Sequence, residues 1–123
     1  MHLAFLDEAT ELACTDPARA HALWGPEGAR EVARAIGLLV ASTTLGVLRR
    51  FRTIGVVLTD CGELRCVTIT NGATQVFTVP VDARGALLIP ERGDNVESLD
   101  LVSRMQVFDV LHEGRATGRG RAA

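Results

Sequence analysis

The sequence predicts an α+β domain: a four-stranded antiparallel β-meander packed against a long central helix, with a C-terminal helix. Three observations carry this prediction. Runs of Val, Ile, Leu and Thr between residues 52 and 90 are separated by turns rich in Asp, Asn and Gly, as in consecutive hairpins. An uncharged run of fourteen residues, 35–48, fits a buried helix. A capping sequence at 94–97 precedes a second apolar stripe.

Residues 2–14 have two interpretations. Leu3, Leu6 and Ala9 recur at helical spacing, which favours a short amphipathic helix. The alternative is a hairpin in which residues 2–6 pair with 11–14. We expect the helix.

Two helices are predicted before the sheet. The first begins at Pro17, after the capping side chain of Asp16, and ends at Trp24. Pro26 opens the main helix, which carries a long apolar stripe. The stripe consists of Val32, Ile36, Leu39, Val40, Thr43, Val47 and Phe51.

The four strands are predicted at 53–59, 63–70, 74–80 and 86–89. An Asn-Gly pair at 71–72 predicts a type I′ turn, because both residues of that turn need positive φ. The other two turns fit a type I turn followed by a left-handed Gly and a bulge. This reading places Val56 opposite Cys66 and Cys66 opposite Phe77.

Both faces of the predicted sheet carry apolar side chains. One face holds Ile54, Val56, Leu58, Leu64, Cys66, Phe77, Val79 and Leu88. The opposite face holds Val57, Val67, Ile69 and Val76. An antiparallel sheet with one side in water would alternate more cleanly. The second face is therefore expected to be covered, by another helix or by a second copy of the chain.

The last helix is predicted from the capping sequence at 94–97 to about His112, with Gly114 as its C-cap. We expect residues 1–114 to form a single domain. The Gly/Arg/Ala-rich tail, 115–123, has no apolar pattern and is expected to be disordered.

Composition bears on partners and compartment. The net charge is −2, which argues against a nucleic-acid binder that neutralises phosphates. All 13 basic residues are arginines, as in proteins from GC-rich bacterial genomes. The uncharged run is shorter than the roughly 20 residues of a membrane span, and the acidic residues near the N-terminus do not fit a signal peptide. With an odd number of cysteines, three, we expect a cytoplasmic protein that does not contact membranes.

No catalytic, cofactor or metal site is predicted. Cys61 and Cys66 flank one turn, but a zinc site needs two further ligands, and the other cysteine and the histidines are scattered. Cys66 reads as a small core residue, whereas Cys61 is a candidate for an exposed thiol. No histidine stands beside a predictable nucleophile.

Two groups of residues are candidates for binding. Arg49, Arg50 and Arg52 follow the main helix and could hold an anion or an acidic partner, although complementing the helix dipole and solvation explain them more simply. Trp24 is either a core residue or an interface anchor. With Val57, Val67, Ile69 and Val76 of the second sheet face, it forms the predicted interface.

A long helix, a meander and a closing helix resemble the topology of Roadblock/LC7 modules, which form dimers and bind small GTPases. The resemblance lies in topology alone, so no site residue is transferred from it. The first functional hypothesis is a cytoplasmic, non-enzymatic interaction or regulatory module that works as a homodimer, with another protein as a second candidate partner. The alternative is a protein or enzyme that binds a small molecule or anion between helix and sheet.

Overall fold

The computed structural model describes residues 1–115. In chain order the elements are β1 (His2–Phe5), α1 (Glu8–Thr15), α2 (Pro17–Ala41), α3 (Leu45–Leu48), β2 (Ile54–Cys61), β3 (Leu64–Asn71), β4 (Thr74–Pro80), a 3₁₀ turn (Val96–Leu99) and β5 (Arg104–His112). The α+β class and the long helix are confirmed. Within residues 1–115, no helix combines the length and apolar character that a membrane crossing requires.

The sheet has five strands in the order β1-β5-β4-β3-β2. The β2-β3-β4 meander continues directly into β5, and all these neighbours are antiparallel. β1 lies at the far edge and runs parallel to β5. The prediction of a four-stranded, purely antiparallel sheet is therefore only roughly right.

The N-terminal segment follows the expected helix only in its second half. Residues 2–5 form β1, and the helix begins only after Asp7, whose carboxylate accepts the amide N–H of Thr10 at 2.8 Å. The partner of β1 is a strand about 100 residues further along the chain. Because no local pattern contains that pairing, helical spacing was the stronger signal in the sequence.

α2 joins the two helices that the sequence predicts. Asp16 caps its start as expected, and a kink at Gly25 (φ 75°) separates the two halves. The helix ends at Ala41 and not near Phe51, because the polar run 42–44 leaves helical geometry. Ser42 bonds back to the carbonyl of Leu38, and Thr44 caps the separate helix α3.

The hairpin registers differ from those predicted. Both hairpins have two-residue loops with Gly first, Gly62-Glu63 and Gly72-Ala73, and in each only the glycine has a positive φ. That is the pattern of a type II′ turn. Val56 consequently faces Ile69 and not Cys66. The first hairpin is shifted by an odd number of residues, which reverses the faces of β2 relative to β3.

Residues 86–89 do not form the predicted fourth strand. β4 already pairs with β3 on one side and β5 on the other, so no edge is left for another full strand. Among residues 1–115, a single bridge forms beyond the end of β4, between Val81 and Leu87. The turn predicted before it, at residues 82–85, does form. The carboxylate of Asp82 accepts hydrogen bonds from the amide N–H groups of Arg84 and Ala86.

The predicted C-terminal helix is wrong. Asn95 does cap a turn, but that turn is a 3₁₀ helix of four residues, and Arg104–His112 is the strand β5. A bulge lies where β5 faces Phe77 and Thr78. It interrupts the two-residue alternation, so the buried residues of β5 mimic helical spacing. Gly114 (φ 81°) belongs to the turn after β5. The predicted tail lies outside the described residues except for Arg115, which bridges back to His112.

The hydrophobic core lies between the helices and one side of the sheet, here called the inner face. The helices contribute residues such as Val32, Ile36 and Leu39. The inner face contributes Ile54, Val67, Ile69, Val76, Met105, Val107 and Val110, with Val56 and Leu58 partly buried against them. The 3₁₀ turn and the segment after it add Leu99 and Val102.

A polar cluster closes one end of this core. Thr74 on β4 is fully buried, and its hydroxyl lies 2.9 Å from Glu31 Oε1 and 2.9 Å from His112 Nδ1. Trp24 lies beside it and donates its indole N–H to the carbonyl of Arg115 at 2.9 Å. These bonds fasten α2 to the ends of β4 and β5.

Candidate interaction surface

The outer face of the sheet is the side opposite the core. In residues 1–115 the helices pack on the inner face. From the strand registers, the outer face carries Val57, Thr59, Leu64, Cys66, Thr68, Thr70, Gln75, Phe77 and Val79. Cys66, Thr68 and Val79 are nonetheless buried.

A row of side chains crosses the outer face towards the edge of the sheet. It consists of Phe108, Phe77, Thr68 and Val57, and is here called the apolar row. The rings of Phe77 and Phe108 lie 6.1 Å apart, centroid to centroid, tilted by 41°. Phe77 is opposite Thr68, and Thr68 is opposite Val57. Val57 is 50% exposed. The row therefore ends in a half-exposed valine on the edge strand β2.

β2 also has an open hydrogen-bonding edge. In a two-residue hairpin the residues flanking the loop bond to each other, so Cys61, Thr59 and Val57 direct their backbone groups to β3. Val56 and Leu58 then direct theirs outward. Among residues 1–115, the only backbone bond from this edge to another segment joins the Ile54 amide to the carbonyl of Phe51, at 3.1 Å.

The residues predicted as an interface are divided by the structure. Val67, Ile69 and Val76 are buried in the core of their own chain, and so is Trp24. They are therefore not on the surface of the protomer, and the prediction that they form an interface is corrected. The cause is the register of the first hairpin, which reverses the faces of β2 relative to β3. Val57 alone lies on the outer face. Phe108 was missed because the sequence placed it on a helix.

Of the three arginines predicted to bind an anion or an acidic partner, Arg49 is engaged in contacts within the chain. Arg49 Nε lies 2.8 Å from Asp100 Oδ1, and a second nitrogen of Arg49 lies 3.2 Å from Oδ2. Glu97 approaches Arg49 at 3.9 Å. The hydrogen bond from Arg49 lowers the pKa of Asp100. Arg50 is exposed and lines one pocket together with Arg49 and Asp100, whereas Arg52 is exposed outside that lining.

The two cysteines of the first hairpin lie on the outer face beside Thr59. Its hydroxyl is 3.3 Å from Cys66 Sγ and 3.8 Å from Cys61 Sγ. Burial, followed by hydrogen bonding to Cys66, raises the pKa of Cys61 to about 11. The Cys61 thiol is therefore protonated at neutral pH, the opposite of an activated nucleophile.

In the part of the chain that the structure describes, no group of three or more His, Cys, Asp or Glu side chains is arranged to hold a metal ion. Comparison with protein-family models, curated proteins and solved structures gave no significant match. The open edge of β2 and the apolar row that reaches it are the features that point to an interaction.

Proposed function

We propose that this chain is a non-enzymatic interaction or regulatory module that forms a homodimer through β2. The edges of β2 and of a second copy pair antiparallel and join two five-stranded sheets into one. The observation that carries the proposal is the open edge of β2, eight residues long, with the half-exposed Val57 near its centre. The lysine-free composition supports a bacterial cytoplasmic setting.

β2 has few of the features that normally prevent edge-to-edge pairing. Such features are charged side chains, especially lysines, together with prolines, bulges and very short strands. Residues Ile54–Cys61 contain a single charged side chain, Asp60, and no proline. The opposite edge, β1, has only four residues and is protected by its shortness. β2 is therefore the edge that favours a partner.

A second copy fits this edge by symmetry. An antiparallel strand can pair with itself about a two-fold axis, which gives a closed, self-complementary dimer. With the axis at Val57, the outward backbone groups of Val56 meet those of Leu58 in the partner, and the two Val57 side chains stand opposite each other. The apolar row on each outer face then continues across the axis to the other.

The same register keeps the charges apart. Asp60 lies three residues from the axis and faces Ile54 of the second copy. Six strand residues, about 20 Å, separate the two Asp60 positions, so self-pairing brings no like charges together.

The first test is solution mass by sedimentation equilibrium from about 1 to 100 μM. We expect a dimer in the wild type and a monomer in Val57→Lys, because lysine on a strand edge blocks pairing. Gln75→Lys is the matched control, since it adds the same charge to an exposed outer-face position on the internal strand β4, and it should remain dimeric. A monomeric wild type at 100 μM would refute the proposal.

Hydrogen exchange tests the edge itself. The amides of Val56 and Leu58 should exchange slowly at high protein concentration and rapidly on dilution, because only the second copy protects them. The amide of Val57, bonded within the hairpin, should be protected at both concentrations. A dimer in which Val56 and Leu58 exchange at the same rate at all concentrations would show that another surface is used.

A further inference from the structure

A cavity lies between α1 and α2, on the side of the helices away from the proposed dimer edge. Its volume is about 290 Å³. The kink at Gly25 and the following Pro26 create it, because they turn the second half of α2 away from the direction of the first. Neither β2 nor the outer face of the sheet contributes to its lining.

The floor of the cavity is apolar and made of small side chains. Ala13, Ala20, Ala29 and Val32 are all buried there. Protein interiors are otherwise packed to the density of organic crystals, and an alanine-lined floor leaves room that leucines would fill. A dry cavity of roughly 150 Å³ already accepts benzene, so this one has space for an aromatic ring and a small polar group.

Two nitrogen-bearing side chains at the rim have no partner within residues 1–115. The Arg30 guanidinium and the His21 imidazole both line the cavity, are exposed, and make no hydrogen bond or ion pair with the described part of the chain. Asp16, the acidic residue of the lining, is already engaged in capping the amide of Ala18 at 3.0 Å. The rim thus offers nitrogen donors without a partner in residues 1–115 above an apolar floor, while the Asp16 carboxylate on the same lining is held by its capping bond.

The thiol of Cys14, which also lines the cavity, is unreactive. Burial, followed by the charge of Asp109, raises the pKa of Cys14 to about 12. A neutral thiol behaves as a small apolar group and is no nucleophile. The cavity is suited to binding and not to covalent chemistry.

We propose that this cavity binds a small monocarboxylate with a compact apolar body, such as an aromatic acid. The apolar body lies on the alanine floor, and the carboxylate accepts hydrogen bonds from Arg30, whose planar donor fork matches a carboxylate. His21 donates a further hydrogen bond at the rim. The site is independent of the proposed dimer interface.

The test is a titration of the ¹⁵N-labelled protein with benzoate, followed by amide NMR shifts. The shifts should concentrate on residues around the cavity, such as Cys14, Ala20 and Ala29. Benzyl alcohol has the same ring without the charge. It should bind more weakly by about tenfold or more, because it cannot form the charge-assisted hydrogen bond.

Variants separate the two halves of the site. Arg30→Gln should weaken benzoate binding about tenfold and leave benzyl alcohol binding unchanged. Arg34→Gln is the control, because Arg34 is an exposed arginine one turn further along α2 outside the lining, and it should bind as the wild type does. Ala29→Leu, checked for folding by its amide spectrum, should reduce binding of both compounds by filling the floor.

Three results would overturn the proposal. One is equal binding of benzoate and benzyl alcohol, and another is equal weakening by Arg30→Gln and Arg34→Gln. The third is a set of shifts spread over the surface away from α1 and α2. None of these outcomes bears on dimer formation, which the solution mass measures separately.

Discussion

Gly28 of α2 lies directly against His112, the last residue of β5. A Cβ atom at position 28 would stand 2.8 Å from Cδ2 of His112 and 2.6 Å from the Cβ atom of Trp24. Only glycine permits this approach, and it brings Glu31, one turn further along, to the hydroxyl of Thr74. The contact explains why the kinked helix can be fastened to the end of the sheet.

Gly28→Ala should therefore destabilise the protein. The added methyl group must displace His112 or the helix, and overpacking of this kind costs about 1–3 kcal/mol. Gly37→Ala is the matched control in the same helix, because a Cβ there meets nothing within 4 Å, and its higher helix propensity should add about 0.5–1 kcal/mol. Urea unfolding measures both changes. If both variants gained stability, the close approach at position 28 would be refuted.

Thr74→Val tests the polar cluster. The hydroxyl of Thr74 donates to Glu31, and its oxygen accepts from His112 Nδ1. Removing it leaves a buried ring nitrogen without this partner, which should cost about 1–3 kcal/mol. Thr70→Val on the neighbouring strand is the control, because the described residues include no hydrogen bond to that hydroxyl, and it should change the free energy of unfolding by less than 0.5 kcal/mol, roughly the range of surface substitutions. Comparable losses in the two variants would show that the cluster contributes nothing specific.

Local signals in the sequence predicted the elements that depend on local chemistry. The start of α2 at Pro17 follows from a cap and a proline, and the turns around 60–63 and 71–74 follow from their Gly residues. The type of each turn was harder to predict from the sequence. Gly72 occupies the first loop position and not the second. Which position it takes depends on the register of the two strands, and that register is set by packing against the neighbouring strands and the core.

The elements that depend on distant partners could not be predicted in this way. β1 is a strand because β5 lies beside it, and β5 is a strand because β1 and β4 enclose it. The bulge in β5 conceals its alternation, so the buried Met105, Val107 and Val110 are spaced two and three residues apart. The contact between Phe77 and Phe108 on the outer face could therefore not be predicted from the sequence. Predicting that Val57 is exposed on the same face as Phe77 would have required only the correct register of the first hairpin.

The ion pair between Arg49 and Asp100 should give a pH-dependent contribution to stability. The hydrogen bond from Arg49 lowers the pKa of Asp100 in the folded state. A carboxyl group with a lowered folded pKa stabilises the protein above its unfolded pKa, about 3.9, and the stabilisation is lost as pH falls through the folded pKa. Asp100→Asn should therefore be less stable than wild type at pH 7, by a small amount because both side chains are partly exposed.

The difference between Asp100→Asn and wild type should shrink steadily below pH 4. Urea unfolding at pH 7, 5, 4 and 3 measures it. Asp94→Asn is not a suitable control, because Asp94 accepts the amide of Glu91. Asp60→Asn is suitable, since Asp60 is exposed on β2 and its carboxylate forms no hydrogen bond or ion pair within residues 1–115, and it should differ little from wild type at pH 7. A constant difference for Asp100→Asn down to pH 3 would show that the loss comes from packing and not from charge.

Cys61 should be a slow thiol despite its partial exposure. With its pKa raised from 9.0 to about 11, its thiolate fraction at pH 8 falls from about a tenth to about 0.1%. Alkylation by iodoacetamide, which consumes the thiolate, should be roughly 100-fold slower than in the urea-unfolded chain. Peptide mass spectrometry assigns the rate to Cys61 separately from Cys14 and Cys66. The rate should keep rising with pH beyond 10, because the thiolate fraction has not yet levelled off there. A rate that levels off near pH 9 would show that burial and the hydrogen bond to Cys66 do not raise the pKa of Cys61.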